Sequence, residues 1–161
     1  MEISQSHCGK HHGGVLRIAL YDASRLISVP FDPSSGCYSS IEVEEGYTPI
    51  EVAFAEESGA WSERVGSGGG VEHSVEFSLW GARCEALSTL QTLSERGVVA
   101  LVECADGGQY LVGYSPRATT DYLLRLAEGN LNTFSHRTER TTTKVLLTST
   151  DGWFSRPLLG E

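Results

Sequence analysis

VEHSVEFSLWGARCEALSTLQTLSERGVVALVECADGGQYLVG, residues Val71 to Gly113, is the stretch whose reading decides the fold. From Val71 to Leu79 the odd positions carry Val71, His73, Val75, Phe77 and Leu79, and the even ones carry Glu72, Ser74, Glu76 and Ser78. That two-residue period predicts a strand with one buried face. The period then changes. Ala86, Leu87, Leu90 and Leu93 recur at helical spacing, Arg96 falls in the last turn, and Gly97 suits a left-handed C-cap. A short amphipathic helix is therefore expected from about Ala82 to Arg96. Val98 to Val102 is too continuously apolar for a half-exposed strand, and Ala105-Asp106-Gly107-Gly108 offers positive-φ residues for a hairpin returning through Tyr110-Leu111-Val112. The helix should pack on a sheet whose central members flank it.

Upstream, Val15 to Leu20 reads as a strand, and Asp22-Ala23-Ser24 turns the chain into Leu26 to Val29. Pro30 and Pro33 block ladder pairing in the next loop. Extended segments follow through Tyr38, Ile41, Val43 and Tyr47, and then from Ile50 to Ala55. The segment EESGAWSERVGSGGG, Glu56 to Gly70, reads as a flexible loop or long hairpin with Trp61 as an aromatic anchor. It is not a phosphate loop, because a strand follows the glycines instead of a lysine and hydroxyl at a helix mouth. Downstream, Ser115-Pro116-Arg117 breaks the sheet, Tyr122 to Leu126 resumes it, Gly129-Asn130 suggests a turn, and Thr141 to Thr148 is a strong β-former. Trp153-Phe154 is expected to cover a core edge, and Pro157 to end regular structure. The class expected is α+β, mainly β: an antiparallel β-sandwich or partly open barrel with one flanking helix. Residues 1–14 form a flexible N-terminal segment and residues 15–161 a single β-rich domain.

A chain of 161 residues fits one domain able to bury roughly 70% of its unfolded surface. No apolar run approaches the roughly 20 residues of a membrane helix, and Met1 to Gly14 lacks the apolar centre of a secretory signal. Intracellular synthesis is the expectation, with Cys8, Cys37, Cys84 and Cys104 as free thiols, two of them (Cys84 and Cys104) packed in the core. The net charge of -9 is unevenly spread. Glu42, Glu44, Glu45, Glu51, Glu56, Glu57, Glu63, Glu72 and Glu76 face only Arg64, whereas Arg117, Arg125, Arg137, Arg140, Lys144 and Arg156 make the C-terminal part mildly basic. Such asymmetry argues against nucleic-acid binding by the whole protein and suits association of unlike surfaces.

Catalytic patterns are missing from the sequence: there is no Gly-x-Ser-x-Gly, no His-Glu-x-x-His and no strand-linked dinucleotide fingerprint. The pairs Glu44-Glu45 and Glu56-Glu57 fall where exposure is expected, His73 reads as a satisfied core or interface histidine, and His136 belongs to the basic patch. His7, Cys8, His11 and His12 crowd the N-terminus without the second ligand pair of a structural zinc site. Neither enzyme activity nor a metal or other cofactor is expected.

The segments GGVLRIALYDAS at Gly13 to Ser24 and LSERGVVALVECADGGQYLVG at Leu93 to Gly113, with one helix between strands and a late threonine-rich run, resemble the structural proteins of tailed-phage and prophage particles, above all the tail-tube type. The Trp153-Phe154 ending has no counterpart in that likeness. The resemblance implies a β-sandwich or barrel-like subunit that closes into rings, commonly of six, and stacks into a tube. Its partners would be copies of itself and other virion proteins, and it would pass from the bacterial cytoplasm into the particle. On this reading Trp61, Gly68, Gly69, Arg137 and Arg140 are candidate interface residues, and Glu42, Glu44, Glu45, Glu56 and Glu57 a candidate acidic lining along which DNA slides. A head-tail joining or tail-completion protein of related fold stays open, as does a β-rich module for a ligand or cell-surface partner, which should show a deep apolar pocket. An enclosed cleft where histidine, acid and hydroxyl groups meet would count against all assembly readings.

Overall fold

A computed structural model describes residues 14–54, 58–80, 88, 91–92, 95–132 and 142–159. The strands are β1 (Val15–Asp22), β2 (Leu26–Ser28), β3 (Phe31–Asp32), β4 (Cys37–Tyr38), β5 (Glu42–Val43), β6 (Ile50–Glu51), β7 (Ala60–Val65), β8 (Val71–Trp80), β9 (Val98–Cys104), β10 (Gln109–Val112), β11 (Arg125–Asn132), β12 (Thr142–Asp151) and β13 (Arg156–Leu158). They form a seven-stranded sheet in the order β3-β4-β13-β10-β9-β1-β6, a four-stranded sheet β11-β12-β8-β7 and a small β2-β5 pair. Pairing is antiparallel except between β13 and β4. The fold is thus mainly β and sandwich-like, as the alternation in Val71–Leu79 requires.

The main core lies between the two larger sheets. Val75 and Phe77 of β8 and Val145 and Leu147 of β12 meet Ile18 and Leu20 of β1 and Ala100 and Val102 of β9. β9 is buried on both faces, because Val99 and Leu111 belong to a second cluster with Val29 and Tyr38 on the far side of the large sheet. This two-sided burial explains its unbroken apolar run. The β9–β10 hairpin closes as its residues demand: Gly107 has φ +89°, and Gly108 N donates to Asp106 Oδ1 at 3.0 Å.

Several local expectations are corrected. Most of the expected helix lies outside the described residues; Ser88, Gln91, Thr92 and Glu95 are helical, and Arg96 N donates to Thr92 O at 3.1 Å. Gly97 is not in the left-handed region; it is glycine because a Cβ would stand 2.5 Å from Leu123 Cβ. Gly129 and Asn130 are not a turn but the middle of β11, opposite Val145 and Lys144. Continuous pairing with a ten-residue strand outweighs their turn preference. Trp153 and Phe154 do not close a core edge, since they are 38% and 50% exposed. Cys104 is partly buried against the main core, as expected, while Cys8 and Cys84 lie outside the described residues.

Gly113 carries a testable consequence. Its φ is +89°, and a Cβ there would lie 3.0 Å from Val98 O and 3.1 Å from Leu124 N, the atoms of the Val98–Leu124 bridge. Gly113→Ala combines left-handed strain with a backbone clash and should cost about 2–3 kcal/mol. Gly107→Ala, at the same φ but in open space, should cost only about 1 kcal/mol. Urea unfolding of the two variants checks the difference.

Candidate assembly surface

The β7–β8 hairpin organises the four-stranded sheet. Gly66 N donates to Gly70 O at 2.7 Å and Gly69, with φ +83°, completes the turn, so Gly68 and Gly69 sit at an exposed tip. Trp61, expected as an anchor in a loop, is instead part of β7. Its ring stacks on Tyr110 with centroids 4.6 Å apart and packs against the main core. Trp61 therefore ties the two sheets together while staying only partly buried. At the other end of the hairpin, Ser78 N donates to Ser58 Oγ at 3.1 Å, so a side chain continues the ladder beyond Ala60.

Inward from the same hairpin, Glu63 and His73 face each other with Oε1 2.6 Å from Nδ1 and side-chain exposures of 9% and 3%. Ser155 joins them: its backbone N donates to both Glu63 oxygens at 3.1 and 3.2 Å, and its Oγ lies 3.3 Å from His73 Nδ1. Burial alone would raise the Glu63 carboxyl, but hydrogen bonds from His73 and Ser155 together with the charge of His73 hold it below the ordinary range. Histidine, acid and hydroxyl do meet here. Even so, the geometry is not that of a nucleophile relay, which needs the acid on one ring nitrogen and the hydroxyl on the other. Here both address Nδ1, inside the packed sandwich.

Outward, the sheet presents Ser62 and Arg64 from β7, Glu72, Ser74 and Glu76 from β8, and Lys144, Thr148 and Thr150 from β12. Ser62 and Ser74 share a hydrogen bond of 2.8 Å, Arg64 Nε lies 2.6 Å from Glu72 Oε2, and Lys144 Nζ lies 2.8 Å from Glu76 Oε1. A shallow groove of about 480 Å³ runs over this face, lined by hydroxyls and paired charges. No aliphatic or aromatic hydrocarbon side chain lines it, unlike the deep apolar pocket expected of a ligand-binding module.

Both outer strands of this sheet are open among the described residues. Among the described residues β7 pairs only with β8, and β11 only with β12. Three antiparallel steps separate them, so the two edges run in opposite directions. β7 is regular throughout its register, while β11 has one irregularity between Leu126 and Glu128.

Of the expected lining residues, three are described, and they belong to the β2–β5 pair and the turn after it. Glu42 accepts from Ser28 Oγ at 2.6 Å on the β2–β5 pair, Glu44 is paired with Arg25 at 2.7 Å, and Glu45 is exposed in the following turn. Glu56, Glu57, Arg137, Arg140 and the His7–His12 cluster lie outside the described residues. Among the described residues no three His, Cys, Asp or Glu side chains are grouped to hold a metal, and no helix is long and apolar enough to cross a membrane. No family model, curated protein or solved structure matches this chain.

Proposed function

We propose that the chain is a non-enzymatic structural subunit of a phage or prophage particle, of tail-tube type, whose copies join through the edges of the four-stranded sheet. The observation that carries this reading is the pair of open, oppositely directed edges. Unpaired N–H and C=O groups along an edge strand are a template for another strand. Because β7 and β11 run in opposite senses, a copy related by rotation about an axis along the strands brings its β11 beside β7 and continues the antiparallel ladder. Such a contact joins unlike surfaces, and repeated rotation closes a ring. The face that would line the ring carries hydroxyls and balanced pairs, Arg64 with Glu72 and Lys144 with Glu76. The lining on this reading is near neutral, not acidic, and gives a passing phosphate chain little to hold it.

Native mass spectrometry and negative-stain microscopy over a range of concentrations test the proposal. The expected result is a population of rings or tubes growing from the 17.4 kDa monomer. Val65 is 61% exposed at the end of β7, so Val65→Lys should leave the melting temperature unchanged while weakening association roughly tenfold or more. A wild-type chain that stays monomeric at every concentration overturns the reading.

A further inference from the structure

Three separate elements converge at Trp153. Arg117 stands on the Ser115–Thr119 turn, which is closed by two backbone hydrogen bonds of 3.1 and 2.9 Å and fastened by buried Ser115, whose Oγ accepts from Arg117 N and Ala118 N. Arg156 opens β13 opposite Leu111, so its side chain lies on the Tyr38 face of the large sheet. Its Nη1 is 3.7 Å from where Gly36 would carry a Cβ. Trp153 follows the Asp151–Gly152 turn. Arg117 Cζ and Arg156 Cζ lie 5.5 and 5.7 Å from the centroid of its indole.

Two features of this arrangement call for an anion. First, neither guanidinium has a carboxylate within ion-pair distance among the described residues, although the chain carries 21 acidic residues against 12 basic ones. Asp151, two residues before Trp153, is buried and accepts from Gly152 N at 2.5 Å. Two like charges at one ring repel, and the ring quadrupole offsets only part of that. Second, Arg156 Nε is buried with no acceptor. A donor left in that state carries an uncompensated desolvation cost, which an oxygen ligand would remove.

We propose that Arg117, Trp153 and Arg156 form a binding site for an oxyanion, a carboxylate or phosphate group gripped by the two guanidiniums beside the indole. The planar fork of each arginine suits two-oxygen anions and discriminates against chloride. The oxyanion has two possible sources, a free anion or a carboxylate of a second copy of this chain. The site does not depend on edge-to-edge assembly.

The test is an NMR titration of the full chain, following the Trp153 indole N–H and the arginine Nε–H signals. Inorganic phosphate and succinate are compared with chloride at equal ionic strength. Saturable shifts with both oxyanions and none with chloride are expected. Arg117→Gln, on an exposed turn, and Arg156→Lys should each weaken the saturable phase of the indole signal at least tenfold. Sedimentation under the same conditions separates the sources. Shifts at constant monomer mass assign a free anion; shifts that appear with self-association and are reversed by phosphate assign the carboxylate of a second copy. Equal, unsaturable responses to all three salts, or unchanged binding in Arg117→Gln, overturn the proposal. If assembly fails while saturable shifts persist, only the tail-tube reading falls.

Discussion

Phe77→Ala is expected to lower stability by about 3–5 kcal/mol, enough to move the melting temperature by roughly 10 °C in a chain of this size. Phe77 is 2% exposed and opposes Val145 across the β8–β12 ladder, among the side chains that join the four-stranded sheet to β1 and β9. Truncation removes the transfer free energy of the ring and leaves a cavity. The surrounding valines, fixed on paired strands, cannot collapse to fill it. Leu146 gives the internal comparison. It lies next to Val145 on β12 but points to the outer face, opposite Glu76, and is only partly buried. Leu146→Ala should cost less than about 1 kcal/mol. Urea unfolding of both variants reads the difference. Equal losses would mean that the sandwich interface is not where this packing puts it.

That contrast marks how far the sequence was legible. Val71–Leu79 alternates without exception, and Val98–Val102 is apolar throughout, so period and composition alone identify β8 and the doubly buried β9. β7 was harder to see. Its inward positions are Trp61 and Glu63, with Val65 exposed at the strand end, and the carboxylate hides the alternation that would otherwise announce a strand. Glu63 points inward only because His73, directly opposite in the register, and the Ser155 amide satisfy it, and no spacing rule links residues brought together by a hairpin and a distant loop. The Arg117–Trp153–Arg156 cluster was hidden for the same reason. Its members belong to a turn, a connection and a strand, and their charges read from sequence only as part of a mildly basic stretch. Gly129 and Asn130 failed in the opposite way, since their local preference was clear but tertiary pairing overrode it.

Glu63→Gln should be the most informative change near the hairpin, with an expected loss of about 3 kcal/mol or more at neutral pH. The carboxylate accepts from His73 Nδ1 and from Ser155 N with both of its oxygens. A carboxamide has one acceptor oxygen and no charge, so it cannot serve both His73 and the Ser155 amide as the carboxylate does, and one of the two buried partners loses its acceptor. The pH dependence has a definite sign. The folded-state pKa of Glu63 lies below its ordinary value of 4.5. Its ionised form therefore adds stability that is fully present above about pH 4.5 and is lost as the pH falls through the lower folded value. The wild-type advantage over Glu63→Gln should be large at about pH 7 and shrink steadily below about pH 4.5. Denaturant titrations across that range measure it. A constant gap down to about pH 3 would show that the penalty comes from shape alone, and a negligible gap at neutral pH would show that the Glu63–His73 contact does not hold β7 to the loop before β13. If copies join through β7 as proposed, loosening that contact should also weaken self-association in the variant, which would link stability of the hairpin to assembly in a single measurement series.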